Sequence, residues 1–244
     1  MEPNNRKTIR TYTSEPIDDA LLHRLLAEAM RAPTMGNMQL YSVVVTKDAE
    51  RKRQLSPLHF GQPMVENSAV VLTFCADFHR FTRWCQLRQA DAGYDNFLSF
   101  LNAVQDTLLL TQTFITLAER EGLGTCYLGT TVYNPLGLID LLQLPELTFP
   151  VATITVGWPA EDPPLTDRLP VEGLVHEESY KDLSDKEINE LYFEKESLEE
   201  NRNYVQLNGK DNLAQVFTDC RYTRKDNEAL TAGLLEALKH QHFL

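Results

Sequence analysis

A chain of 244 residues with 43% hydrophobic content is long enough to bury a sizeable core as one domain, or as one domain with an appendage. Its formal charge of −12 argues against nucleic acid as a partner, because duplex binding relies on Lys and Arg displacing counterions from phosphates. Four cysteines without CxxC or Cys/His ligand spacing point to free thiols in a reducing compartment, not to disulfides or a metal. The N-terminus shows no signal-peptide pattern and no apolar run reaches the length of a membrane span, so a soluble cytoplasmic protein is expected.

In chain order, Asp18 reads as the N-cap of a first helix whose apolar stripe is Leu22, Leu25, Leu26 and Ala29, with Pro33 beyond its end. Tyr41 to Thr46 is β-branched and strand-like, Asp48 to about Ser56 a short helix, and Ala69 to Cys75 a buried strand. Asn96 to Glu121 is the longest helical pattern. Its apolar centre, Leu108-Leu109-Leu110, suits a helix that runs through the core or a subunit interface. Thr125 to Leu128 and Val151 to Val156 read as strands, and Asn134-Pro135 as a helix start. Ser184 and Glu187 form a capping box, and Asp226 to Lys239 a last helix with Leu230, Leu234 and Leu238 on one side.

Charge is uneven along this order. From Glu177 to Glu200 there are ten acids against three bases, a net of −7, whereas Arg6, Lys7 and Arg10 face only Glu2 in the first ten residues. A local cationic cluster in an acidic protein suits a small anion. The division expected is residues 1–176 as the main domain and 177–244 as a helical arm that extends it.

Three polar segments carry the chemistry. Arg6-Lys7-Thr8-Ile9-Arg10, if extended, places residues 6, 8 and 10 on one face, and arginine matches phosphate oxygens with paired charge-assisted hydrogen bonds. Ala32 to Gln39 is a helix stop followed by a loop. Gly157-Trp158-Pro159 through Pro163-Pro164 is a proline-limited excursion leading to Arg168. The histidines form no ligand or catalytic pattern, and no HExxH, nucleophile elbow, Walker loop or GxGxxG is present.

In order and spacing these segments resemble the nitroreductase family of FMN flavoproteins, in particular its NADPH-dependent nitroreductase and flavin-reductase branch, over roughly the first 180 residues. The resemblance implies an α+β fold, a nitroreductase-like sheet flanked by helices, in an interlocked homodimer with a C-terminal arm. It implies FMN as cofactor and NADPH or NADH as co-substrate. It assigns Arg6 and Thr8 to the phosphate and ribityl side, Arg10 to the pyrimidine edge as the catalytic cation, and Arg168 to the phosphate. Thr34 and Asn37 would reach the flavin from the partner subunit, Gln62 would bond the ring, and Tyr127 and Gly129 would lie beside the phosphate. Relatives often carry Lys or Arg where this chain has Thr166, which removes one phosphate cation.

The activity implied is ping-pong hydride transfer from NAD(P)H to an electron-poor small-molecule acceptor such as a nitroaromatic, quinone or free flavin, with no metal, nucleic-acid or membrane partner. Two other classes remain open from the residues: a non-catalytic flavin-binding sensor or carrier, and a non-flavin protein whose arginines bind another phosphate ligand.

Overall fold

The structure, a computed structural model, describes residues 5–244. The chain folds into two compact units, Met1–Pro164 with Leu230–Leu244, and Leu165–Ala229.

The first unit is built on a four-stranded antiparallel sheet in the order β1-β2-β4-β3, with β1 at Tyr41–Thr46, β2 at Val70–Asp77, β3 at Gly124–Leu128 and β4 at Thr148–Gly157. All residues of β2 and β4 are buried, as expected of central strands covered on both faces. Alternation sorts their side chains. Val70, Leu72, Phe74, Ala152, Ile154 and Val156 face α1 (Asp19–Ala29) and α5 (Phe97–Arg120). Val71, Cys126 and Leu128 pack instead with Leu55 of α2 (Ala49–Leu55), Val65 of α3 (Pro63–Asn67) and Leu138 of α6 (Pro135–Leu142). Helices therefore lie on both sides of the sheet, as the α+β reading requires.

The cap expected at Asp18 forms, whereas Asn134 at the start of α6 makes no side-chain cap hydrogen bond. Asp18, Asp48 and Asn96 each accept from a backbone N–H in the first turn of the helix that follows. A helix α4 (His79–Leu87), unforeseen in the sequence, follows β2; it buries only Cys85 and packs Phe81 partly against a third hydrophobic cluster. That cluster joins Phe100, Phe149 and Ile139 to Ala237, Leu238 and Phe243 at the end of the last helix, α10 (Arg224–His240). Of the leucine stripe of that helix, Leu238 is thus buried within its own chain.

The second unit contains α7 (Asp185–Ser197), α8 (Glu199–Leu207) and α9 (Leu213–Val216). The capping box is present, with the Ser184 side chain accepting from Glu187 N and Glu187 accepting from Ser184 N. Neither α7 nor α8 buries a residue.

Candidate functional site

The N-terminal segment runs extended along β3. Ile9 N donates to Thr125 O at 3.0 Å, Thr13 N to Trp158 O at 2.8 Å, and Ala160 N to Thr11 O at 3.0 Å. Ile9 and Tyr12 are buried, and the approach is close: a Cβ on Gly124 would sit 2.7 Å from Ile9 Cβ, and one on Gly157 2.8 Å from the Tyr12 ring. Only glycine fits at these two strand positions. The Tyr12 hydroxyl lies 2.8 Å from Thr155 Oγ1 and donates to Ile9 O at 2.8 Å, and burial raises its pKa well above the ordinary value. With Ile9 turned inward, alternation turns Thr8 and Arg10 outward.

Two of the three cations of this segment have an acidic partner. Arg6 Nε lies 3.4 Å from Glu119 Oε1, Arg6 Nη1 is 3.5 Å from Thr8 Oγ1, and Lys7 Nζ is 2.6 Å from Asp162. Glu119 is buried, accepts from Thr125 Oγ1 at 2.7 Å, and has its pKa raised by desolvation. Glu161 accepts from Arg10 N at 2.5 Å and from Thr11 N at 2.9 Å, bonds that lower its pKa. These carboxylates, Glu119, Glu161 and Asp162, are the residues that sequence reasoning missed. Only the run Glu161-Asp162 beside the proline-rich turn could have signalled them. They hold the segment in place through the Arg6 guanidinium, the Lys7 ammonium, the Thr11 hydroxyl and two main-chain amides, and the exposed Arg10 guanidinium makes no hydrogen bond or ion pair among the described residues.

At the other end of β3, Tyr127 and Gly129 are exposed, and a Cβ on Gly129 would meet nothing within 4 Å. Gln62 is brought to this end. Its Nε2 donates to His59 O at 3.0 Å and approaches Thr130 Oγ1 at 3.4 Å. His59 and Thr130 are further members, and no motif in the sequence singles them out.

The loop carrying Thr34 and Asn37 is elsewhere. Thr34 Oγ1 donates to Asp106 Oδ2 at 2.6 Å, and Met35 N and Leu40 N donate to the same carboxylate. Asp106 is buried in α5 and holds a loop in which Asn37 and Gln39 both take left-handed backbone, with φ of 55° and 56°, a conformation costly for side-chain-bearing residues. Asn37 is exposed. Asp106 and Glu119, the anchors of this loop and of Arg6, are thirteen residues apart on one helix, roughly 20 Å at 1.5 Å per residue. One chain therefore does not set Thr34 beside its own Arg6.

Arg168 belongs to the second unit, exposed, with Nη1 donating to Thr166 Oγ1 at 2.9 Å and to Asp167 O at 2.7 Å. Thr166 thus accepts from the arginine two residues on. Asp167 in turn pairs with Lys195 at 2.7 Å. Among the described residues, Cys75, Cys85 and Cys126 are buried free thiols and Cys220 is exposed.

An antiparallel sheet between helices, edged by an extended cationic segment and an open strand end, is the arrangement that the resemblance implies. The Nitroreductase family profile matches residues 4–158, and the chain belongs to that family. The oxygen-insensitive NADPH nitroreductase of Salmonella typhimurium is 35% identical over 180 residues, 74% of this chain and 73% of that protein. The FMN reductase [NAD(P)H] of Bacillus subtilis is 35% identical over 178 residues, 72% of each. Among solved structures, a candidate oxidoreductase from Bacteroides fragilis superposes with a TM-score of 0.98 at 59% identity, over 99% of this chain and 98% of that one.

Proposed function

We propose that this oxidoreductase holds FMN at the edge of β3 and carries hydride from NAD(P)H to nitroaromatic, quinone or flavin acceptors, in a cytoplasmic homodimer whose two sites are each completed by the partner. The observation that carries this reading is the Ile9–Thr125 pairing, because burial of Ile9 turns Thr8 and Arg10 to one accessible face. The donor set fits the cofactor: two guanidinium groups and a hydroxyl suit a phosphate dianion and an electron-rich ring. The open surface over Gly129 leaves room for backbone approach.

Bound FMN supplies a ring that accepts a hydride and passes it on. Arg6 and Thr8 would hold its phosphate and ribityl side, and Arg168 is assigned to the phosphate as well. Arg10 supplies the fixed positive charge that favours electron uptake at the pyrimidine edge. With no protein nucleophile or general base in the site, the dinucleotide and the acceptor take turns at one accessible face. The Salmonella relative's name specifies NADPH and the Bacillus relative's NAD(P)H, so both dinucleotides stand as donors.

Dimerisation is supported by the roughly 20 Å along α5 between the two loop anchors and by Leu98, Leu101, Leu108 and Leu109, all exposed on that helix. Thr34, whose hydroxyl proton is committed to Asp106, and Asn37 then reach the flavin of the other subunit. Three buried unpaired cysteines fit a reducing compartment.

The test is direct. Heat-released cofactor should be FMN by mass, and Arg10→Gln should slow stopped-flow bleaching by NAD(P)H on the order of 10²-fold while FMN affinity changes far less. FAD in the supernatant, or an unchanged reduction rate and potential in Arg10→Gln, would remove the assignment. A monomer by light scattering that binds FMN stoichiometrically would remove the shared site.

A further inference from the structure

Beside Gln62 lies a buried polar side chain that none of the assigned roles uses. His59 is wholly buried; its Nδ1 is 2.9 Å from Thr130 Oγ1, and its Nε2 has no partner among the described residues. Burial pushes its pKa down to about 4, so near neutral pH the ring carries a single N–H. Two tautomers are available. With the proton on Nε2, a buried N–H donor has no acceptor. With the proton on Nδ1, that N–H is donated to Thr130 and only an acceptor lone pair is left over. Orphaned buried N–H groups are rare and costly, so the Nδ1–H form is favoured.

This tautomer sets the polarity of its neighbours. Thr130 Oγ1 accepts from His59 Nδ1 and from Gln62 Nε2 at 3.4 Å, which fills both lone pairs. The Thr130 proton must then point away from both groups. Gln62 has its amide nitrogen engaged with His59 O and Thr130, so its Oε1 is the free end. Thr130 and Gln62 are only half-buried, next to the exposed Gly129. The outcome is one donor, Thr130 O–H, and one acceptor, Gln62 Oε1, offered side by side.

That pair complements an imide edge, where an N–H stands next to a carbonyl. We infer that His59 is a positioning residue which, through Thr130, fixes a donor–acceptor pair that recognises the imide edge of the flavin ring. The inference rests on the flavin reading above. It adds a reason for burying a histidine there: reversing the tautomer would turn the Thr130 proton inward and withdraw the donor from the ring.

The experiment has a part that needs no flavin. Nitrogen-15 NMR of the imidazole in the purified protein should show His59 protonated at Nδ1; an Nε2–H signature would overturn the inference. In the FMN-loaded protein, Thr130→Val should weaken FMN about 5- to 10-fold, the scale of one net hydrogen bond, and lower the midpoint potential, with Thr130→Ser restoring both. His59→Leu should produce a similar loss that does not add to that of Thr130→Val, whereas His59→Asn, which can replace the Nδ1–H donor, should keep wild-type values. Unchanged affinity and potential in Thr130→Val would overturn the inference while leaving the flavin reading intact. Absence of FMN from the wild type would overturn both, even with the Nδ1–H tautomer confirmed.

Discussion

The two units of this chain bury their side chains in different ways. In the first, strands β2 and β4 have no exposed residue, and the C-terminal Phe243 is fully buried among Phe100 and Phe149. In the second, α7 and α8 bury nothing, while Phe193 is 68% exposed and Tyr180 79% exposed; only Leu213 and Val216 of α9 are covered. A chain segment that cannot hide its aromatics has little hydrophobic stabilisation of its own. The first unit is thus stabilised by its own core. The arm is held by caps and ion pairs such as Lys195–Asp167 and Lys181–Glu187, which at exposed positions contribute little, and it leaves its aromatic side chains exposed.

Paired truncations test this difference most strongly. Phe243→Ala should cost about 3–5 kcal/mol of unfolding free energy, as for other fully buried aromatics. Phe193→Ala, which removes nothing from a core within the chain, should shift the unfolding free energy of the monomeric protein by less than about 0.5 kcal/mol but weaken self-association. Urea titrations and sedimentation at several concentrations report both. Equal destabilisation by the two substitutions would mean that the arm has a core of its own.

The same contrast explains what the sequence disclosed. Elements of the first unit with a two-sided or one-sided apolar pattern, such as β1, β2 and α5, could be read nearly to their ends, because burial imposes a period. Helix α4 could not, although Phe81, Trp84 and Cys85 recur at helical spacing, because it is only nine residues long and bounded by no cap signal; α8 buries nothing. The cationic segment was visible as a local Arg-x-Thr-x-Arg pattern, whose shared face required an extended backbone, and the Ile9–Thr125 pairing supplies that backbone. Their partners were not. Glu119, Asp106 and Thr130 act on segments 113, 72 and 71 residues away from them at Arg6, Thr34 and His59, and nothing in a single sequence records a pairing over that distance. Asp106, an acid in the middle of an apolar helix, was the one visible anomaly.

Acid should reach the two units over different pH ranges. His59, in the core, has a folded pKa of about 4 against an ordinary 6.5. The unfolded chain therefore takes up a proton first as pH falls, and the stability that His59 permits is complete above about pH 6.5 and is lost down to about pH 4. Over that window the loss amounts to roughly 3 kcal/mol, from 1.36 kcal/mol per unit. In the arm, Glu187 is lowered to about 2 by Lys181 and Ser184; its contribution is present above the ordinary value of 4.5 and fades below it. His59→Asn should flatten the pH dependence of the unfolding free energy between pH 6.5 and 4 and leave the lower range unchanged. An identical curve for variant and wild type would show that His59 is protonated in the folded state.

The smallest effect expected is at the start of α7. Ser184 Oγ accepts from Glu187 N at 3.4 Å and donates to Glu187 Oε2 at 2.7 Å, and Ser184 N donates to the same oxygen at 2.9 Å. Ser184→Ala removes the cap and should cost about 1 kcal/mol of helix stability. Because α7 buries no residue, that cost should stay local. Amide exchange in the first turn of α7 should rise about fivefold, the ratio that 1 kcal/mol sets, while exchange in β2 and β4 stays at wild-type levels. If the central strands also exchanged faster, the arm would be folding cooperatively with the core, and the contrast between a self-sufficient unit and a dependent one would fail at its weakest point.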